Sequence, residues 1–243
     1  VQVCFVPYTK VEESFSLQAV HDILTHGVMR RDQYDHLSFP GAVPRSFIGA
    51  LLLSVASLPA ALCATSAGMQ LGVRLVLGTC AWAAMVHLAF LLCPKAPRVR
   101  ALFYVLSAIQ YHLTFWTSRT TPNGLAFPLA TVALTHVVHG RHAYKGLALL
   151  AATAMMLRLE LVCLAVPAYL WTWWHHQRRF VYVFMTGAVT CAGSIALSVL
   201  VDSYFWRKRF LWPEGHAVIF NVIEGRSAER GLSPPWTYVV RDL

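Results

Sequence analysis

Two stretches of this chain, Phe47–Ser66 and Phe180–Val201, contain no charged residue. A helix needs about 20 consecutive apolar residues to cross the hydrocarbon core of a bilayer. Further runs are apolar apart from isolated positions: Leu71–Cys93 with Arg74 at its edge, Ala101–Thr117 interrupted by Gln110 and His112, and Gly146–Trp171 holding Arg158 and Glu160. Gly124–Val138 is apolar but short for a span. Only 13% of the 243 residues are charged and 57% are hydrophobic, whereas an ordinary soluble domain carries roughly 25% charge. So few charges cannot cover a globule of this size, and so apolar a chain does not stay disordered. Six cysteines are too sparse for a disulfide scaffold. The expected fold class is all-α, a polytopic helical membrane protein with five or six spans. Residues 1–46 read as a polar leading segment, 47–201 as the transmembrane helical region and 202–243 as a polar segment after the last span.

The net charge of +9 does not point to nucleic acid. Basic residues fall in short clusters between apolar runs, as in Lys95/Arg98/Arg100, Arg178/Arg179 and Arg207/Lys208/Arg209. That pattern dresses span ends facing lipid head groups, so the bilayer is the expected partner. Counted from a first loop outside, the spans put Lys95–Arg100 and Arg141–Lys145 outside too, against the positive-inside rule; a re-entrant segment or a span near the start accounts for this. Cys63, Cys80, Cys93, Cys163 and Cys191 sit in or beside apolar runs and act as small hydrophobes. His136, His139 and His142 recur at i+3 with no carboxylate near in sequence, so no metal is expected there.

The leading segment holds the densest chemistry. Thr9-Lys10-Val11-Glu12 reads as a capping box, with Thr9 as N-cap and Glu12 reaching back to it. Val11, Phe15, Val20 and Leu24 follow at helical spacing, which predicts a helix over Lys10–Thr25 ended by Gly27. Glu12 and Glu13 point about 100° apart on such a helix. One can act as a general base while the other holds structure; equally, Glu12 is a cap and Glu13 a solvated charge. Glu13, Leu17 and His21 follow at i+4 steps, so Glu13 and His21 share a face. Arg119, in Ser118-Arg119-Thr120-Thr121-Pro122-Asn123, either snorkels to the interface or is buried against a phosphate or carboxylate. Arg158 and Glu160, two apart on one helix, do not face each other and each need a different partner. Asp202 reads as a helix-end carboxylate, and Tyr204-Phe205-Trp206 as an interfacial belt.

Pro7-Tyr8-Thr9-Lys10-Val11-Glu12-Glu13-Ser14-Phe15-Ser16-Leu17-Gln18-Ala19 followed by His21-Asp22 resembles the first luminal loop of the dolichyl-phosphate-mannose-dependent mannosyltransferases, glycosyltransferase family 22. Tyr34-Asp35-His36, Phe39-Pro40-Gly41, Val43-Pro44-Arg45, Ser118-Arg119-Thr120, Arg158 with Glu160 and Val201-Asp202-Ser203-Tyr204-Phe205-Trp206 extend the resemblance to about residue 235. The resemblance implies a C-type glycosyltransferase fold in the endoplasmic-reticulum membrane, crossing it several times. It implies transfer of mannose from dolichyl phosphate mannose to the lipid-linked oligosaccharide, with the α-1,6 branch that adds the eighth mannose the nearest fit. It also implies that no cofactor is needed, because the donor carries its own phosphate leaving group. The base then maps to Glu12 or Glu13, Glu12 aligning with the first acidic position and the capping argument favouring Glu13. His21, Arg45 and Arg119 are the candidates for phosphate or sugar contact. Members of the family are longer, so the chain is expected to be a piece, and Glu224–Leu243 departs from their pattern.

Three alternatives stay open on the residues. One is a GPI-anchor or α-1,2 mannosyltransferase of the same family. Another is a transporter, although transporters place acids near the bilayer midplane and often show inverted repeats. The last is a non-catalytic remnant.

Overall fold

The structure, a computed structural model, describes residues 8–41, 43–62, 65–177 and 179–225. The expectations for Pro7, Cys63, Arg178 and the divergent stretch 226–243 lie outside the described residues. Among those described, every regular element is helical. In chain order these are α1 (Val11–His26), α2 (Asp35–Ser38), α3 (Phe47–Ala56), α4 (Ser66–Leu92), α5 (Pro97–Ile109), α6 (Tyr111–Trp116), α7 (Pro122–His139), α8 (Ala143–Met156), α9 (Val162–His175), α10 (Phe180–Trp206) and α11 (Pro213–Val218). Short 3₁₀ turns cover Arg31–Gln33, Leu58–Leu62 and Leu159–Leu161.

Two helices, α4 and α10, are long and apolar enough to cross a membrane. The other apolar runs are broken. The run from Phe47 leaves the α-helix at Ala56, before a 3₁₀ turn containing Pro59, which has no N–H to continue the helical hydrogen-bond ladder. The run from Ala101 breaks at Gln110, which is extended between α5 and α6. The run Gly146–Trp171 breaks at Leu157–Leu161, where Arg158 adopts φ −159° and ψ 97°. Conversely, Gly124–Val138 belongs to an 18-residue helix that starts earlier than its apolar run. Thr121 caps it by accepting from Gly124 N, and Pro122 sits in the first turn.

Helix α7 packs against α8 and α4, and α8 packs against α10. The α7–α8 approach is close because position 146 lacks a side chain: a Cβ there would lie 2.5 Å from the Ala133 carbonyl oxygen. A second core joins α1, α3 and the end of α10, with Val20, Tyr34, Phe47, Phe205 and Trp206 at its centre. Phe47 and Phe205 stack at 4.4 Å, and His36 packs edge-on to Phe47 at 4.7 Å and Trp206 at 4.8 Å. This corrects the interfacial-belt expectation. Tyr204 stays partly exposed, but Phe205 and Trp206 are buried, because the end of α10 meets α3 rather than lipid.

Asp202 is also more than a helix end. It is fully buried, and Oδ1 accepts from Phe47 N at 2.7 Å. Its Oδ2 accepts from Ser46 Oγ at 3.0 Å and Ser198 Oγ at 2.7 Å. One carboxylate thus ties the start of α3 to α10. We expect Asp202→Ala to strand buried donors and lower stability by about 1–3 kcal/mol, read as a drop in thermal midpoint in detergent. Asp202→Asn, which keeps one acceptor oxygen for Phe47, loses less.

Candidate active site

Helix α1 starts one residue later than the T-x-x-E pattern suggests. Lys10 is the N-cap, and Glu13 rather than Glu12 reaches back, Lys10 N donating to Glu13 Oε1 at 2.9 Å. Thr9 is occupied elsewhere, accepting from Gln70 Nε2 at 2.9 Å. The shift has a physical cause. In this register Glu13 turns into the protein and meets two guanidiniums, with Arg74 Nη2 at 2.8 Å and Arg119 Nη1 at 2.9 Å from Oε1. Thr120 N donates to Oε2 at 3.3 Å. The Tyr8 carbonyl accepts from Arg119 Nη1 at 2.7 Å, and the Arg119 guanidinium lies over the Phe115 ring at 4.5 Å. Glu13, Arg74 and Arg119 are 0%, 1% and 2% exposed. The reading of Glu13 as a solvated charge is therefore corrected. So is the placing of Arg74 at a span edge: it sits inside α4, one side chain of a buried cluster that also holds Arg119. A buried carboxylate so paired satisfies the rule that interior charges need partners and hydrogen bonds.

Glu12 is exposed. On the α1 wheel its direction falls between those of Ser16 and Ala19, and both line a cavity of about 720 Å³. Glu12 itself is not among the residues that line this cavity; its neighbours Val11 and Ser14 are, and its side chain lies about 100° round the helix from the Glu13 cluster. Its carbonyl accepts from Arg45 Nη1 at 3.3 Å. Arg45 itself lines the cavity, and its carbonyl accepts from Trp206 Nε1 at 2.9 Å, which fixes the loop before α3. The α1 side of the cavity is completed by Ser14, Gln18 and Asp22. Asp22 is buried and accepts from Asp35 N at 3.1 Å.

His21 is not brought to this cavity. It borders a smaller one, about 170 Å³, with Met69, Gln70 and Val73 of α4, and its Nδ1 lies 3.5 Å from Asp22 Oδ1. The shared face of Glu13 and His21 therefore does not make one pocket: Glu13 is sealed against the arginines two turns away. Residue His36, which sequence reasoning did not single out as a site, lines the large cavity, and Phe205 O lies 3.0 Å from its Nε2. Burial pushes its imidazole below the usual histidine range.

The break between α8 and α9 also lines the cavity, through Leu157, Arg158, Leu159 and Glu160. Arg158 Nε and Glu160 Oε2 are 2.7 Å apart. The expectation that they need separate partners held for one continuous helix; the extended backbone at Arg158 and the 3₁₀ turn after it bring them together. Glu214, the second residue of α11, reaches across to accept from Leu159 N at 2.8 Å. Burial raises its carboxyl above the usual range, against the pull of the Leu159 N–H and of Arg158. Among the described residues, no group of three or more His, Cys, Asp or Glu is arranged to hold a metal ion.

An all-helical chain with two helices of membrane length and a cavity of mixed lining, arginines and carboxylates among apolar side chains, fits a class: membrane proteins that handle a partly polar ligand. The comparisons narrow it. A profile of the Alg9-like mannosyltransferase family matches residues 1–243, and the chain belongs to that family. It is 35% identical, over 97% of its length, to the probable Dol-P-Man:Man(7)GlcNAc(2)-PP-Dol alpha-1,6-mannosyltransferase of Schizosaccharomyces pombe, covering 42% of that protein. It is 33% identical to the enzymes of the same name, without the qualifier, from Saccharomyces cerevisiae and Arabidopsis thaliana. Those matches cover 98% and 95% of this chain and 48% and 47% of the relatives. The chain thus spans less than half the length of these three curated relatives. No solved structure matches it.

Proposed function

We propose that this chain carries the first-loop catalytic region of a dolichyl-phosphate-mannose-dependent α-1,6-mannosyltransferase. It adds mannose to the seven-mannose lipid-linked oligosaccharide in the endoplasmic-reticulum membrane, on a multi-pass C-type glycosyltransferase fold. Family membership and the names of the relatives support the substrates. The observation that supports the mechanism is the division of labour between adjacent glutamates, one sealed between two arginines and the other exposed, its carbonyl bonded to Arg45, which lines a cavity of about 720 Å³.

The chemistry follows from the substrates. In the donor, mannose is β-linked to phosphate, a good leaving group that needs no general acid. An acceptor hydroxyl attacks the anomeric carbon from the opposite face, the carbon–oxygen bond to phosphate breaks, and its electron pair departs with dolichyl phosphate. The new linkage is α. The hydroxyl proton must go to a base within hydrogen-bond reach, and Glu12 takes it. Arg45, bonded to the Glu12 carbonyl and lining the cavity, offers its charge to the leaving phosphate. Glu13, Arg74 and Arg119 fix the first turn of α1 and so the place of Glu12; His21 stands at a neighbouring rim. No cofactor takes part in this scheme.

The reading is tested in Saccharomyces cerevisiae cells lacking their own relative. They would express a chimera in which this chain replaces the matching segment of that relative, with its presence in membranes verified. We expect the seven-mannose lipid-linked species to be converted to the eight-mannose species. Accumulation of the seven-mannose species, with the chimera present, overturns the assignment.

A further inference from the structure

Ionisable side chains within an apolar run are costly and persist where they pair or act. Arg158 and Glu160 pair, yet both also line the cavity. Their position is built from three converging segments. The indole of Trp212 donates to the Met155 carbonyl at 2.9 Å, and Leu159 N donates to Glu214 Oε2 at 2.8 Å. These two bonds dock α11 onto the break between α8 and α9 from more than fifty residues away. They hold a guanidinium and two carboxylates on one wall. The Arg158–Glu160 bond uses Nε and leaves the Nη donors for other acceptors. Glu160 is 67% exposed at its side chain. Asn221 adds an amide to the lining of the same cavity, and Phe39, 82% exposed, lines it too.

The charges decide what such a wall suits. Arg158 is matched by Glu160, and Glu214 adds a further carboxyl. A phosphate would meet these carboxylates and be repelled, so the wall does not suit an anion. A neutral polyol fits: vicinal hydroxyls both donate to carboxylates and accept from guanidinium and amide groups, and an aromatic ring packs on the apolar face of a sugar. The cavity is of the size that holds a ligand of several rings, and α1 lines it too.

We propose that Arg158, Glu160 and Glu214 form a carbohydrate subsite that binds mannose hydroxyls of the acceptor glycan, in the cavity that Arg45 and α1 also line. The proposal rests on the mannosyl-transfer reading for the identity of the glycan. It places substrate recognition at a helix break that the transfer chemistry does not use.

The test compares Glu160→Gln and Arg158→Gln with the unsubstituted chimera in detergent. Glu160 is exposed and its change leaves the Leu159–Glu214 bond intact, so Glu160→Gln is expected to keep the thermal midpoint. Each loses a charged hydrogen bond to the sugar, and we expect KM for the lipid-linked acceptor to rise about tenfold while KM for dolichyl phosphate mannose stays within about twofold. A rise in the donor KM with the acceptor KM unchanged, or no change in either, overturns the subsite. Binding of free seven-mannose oligosaccharide, followed by saturation-transfer NMR, separates the two claims. Glycan binding that Glu160→Gln weakens, in a protein that transfers no mannose, sinks the transfer reading and supports the subsite. Normal transfer with glycan binding untouched by Glu160→Gln sinks the subsite and leaves the transfer reading standing.

Discussion

Glu12→Gln is expected to lower kcat by about 10²–10⁴-fold, the range a positioned general base contributes, with little change in KM for either substrate. The substitution keeps the shape of the side chain and removes its ability to take a proton. Glu12 is exposed, and the hydrogen bond that its main-chain carbonyl accepts from Arg45 survives the change. Substitutions at such surface positions usually shift stability by no more than about 0.5 kcal/mol. Loss of turnover at unchanged thermal midpoint therefore isolates chemistry from folding. Steady-state kinetics beside a thermal melt provides the check, and equal decline of both signals would remove Glu12 from the mechanism.

Glu13→Ala has a different signature. It removes the carboxylate shared by Arg74 and Arg119 and leaves two buried cations facing each other. Breaking a buried pair by deleting one partner costs about 3–5 kcal/mol, which for a chain of this size is a large share of its stability. The cluster is asymmetric, two guanidiniums on one carboxylate. Arg74→Met leaves Glu13 paired with Arg119, so we expect it to be the milder change. The order expected in thermal melts is thus Glu13→Ala well below Arg74→Met, with turnover falling in step with the folded fraction. A Glu13→Ala protein that melts normally would show that the cluster does not hold α1.

Much of this was legible in the sequence, and the failures have common causes. Of the two uncharged runs, Phe180–Val201 lies in a helix of membrane length while Phe47–Ser66 breaks at Ala56, and the other helix of that length, α4, carries Arg74. Gly27 marked the end of α1 because a cap is a local feature. The register of α1 was missed by one residue because a local rule, T-x-x-E, competes with a tertiary one. Two arginines more than sixty residues away pull Glu13 inward, and nothing in the first loop announces them. Arg74 carried a signal, a lone charge inside an apolar helix, which read as a span-edge residue when Arg119 was weighed without it. Arg158 and Glu160 were seen as costly, but the break that lets them meet depends on Glu214, which lies across a sequence gap of 55 residues. Phe205 and Trp206 look like a belt until their contact with Phe47 is known. Local chemistry named the residues; long-range packing decided which of them face the cavity.

The claim on which the rest depends is that Glu12 serves to deprotonate the acceptor. Azide is a nucleophile that arrives without a proton to lose, so it bypasses a missing base. In its reaction the azide nitrogen bonds to the anomeric carbon as the bond to phosphate breaks, giving α-mannosyl azide and dolichyl phosphate. The most direct measurement is the rate of that product's formation by the Glu12→Gln chimera supplied with dolichyl phosphate mannose and azide. We expect Glu12→Gln to form mannosyl azide as fast as the unsubstituted protein does while transferring almost no mannose to the glycan. Transfer to the glycan at the normal rate, or failure of azide to accept mannose, would contradict the account.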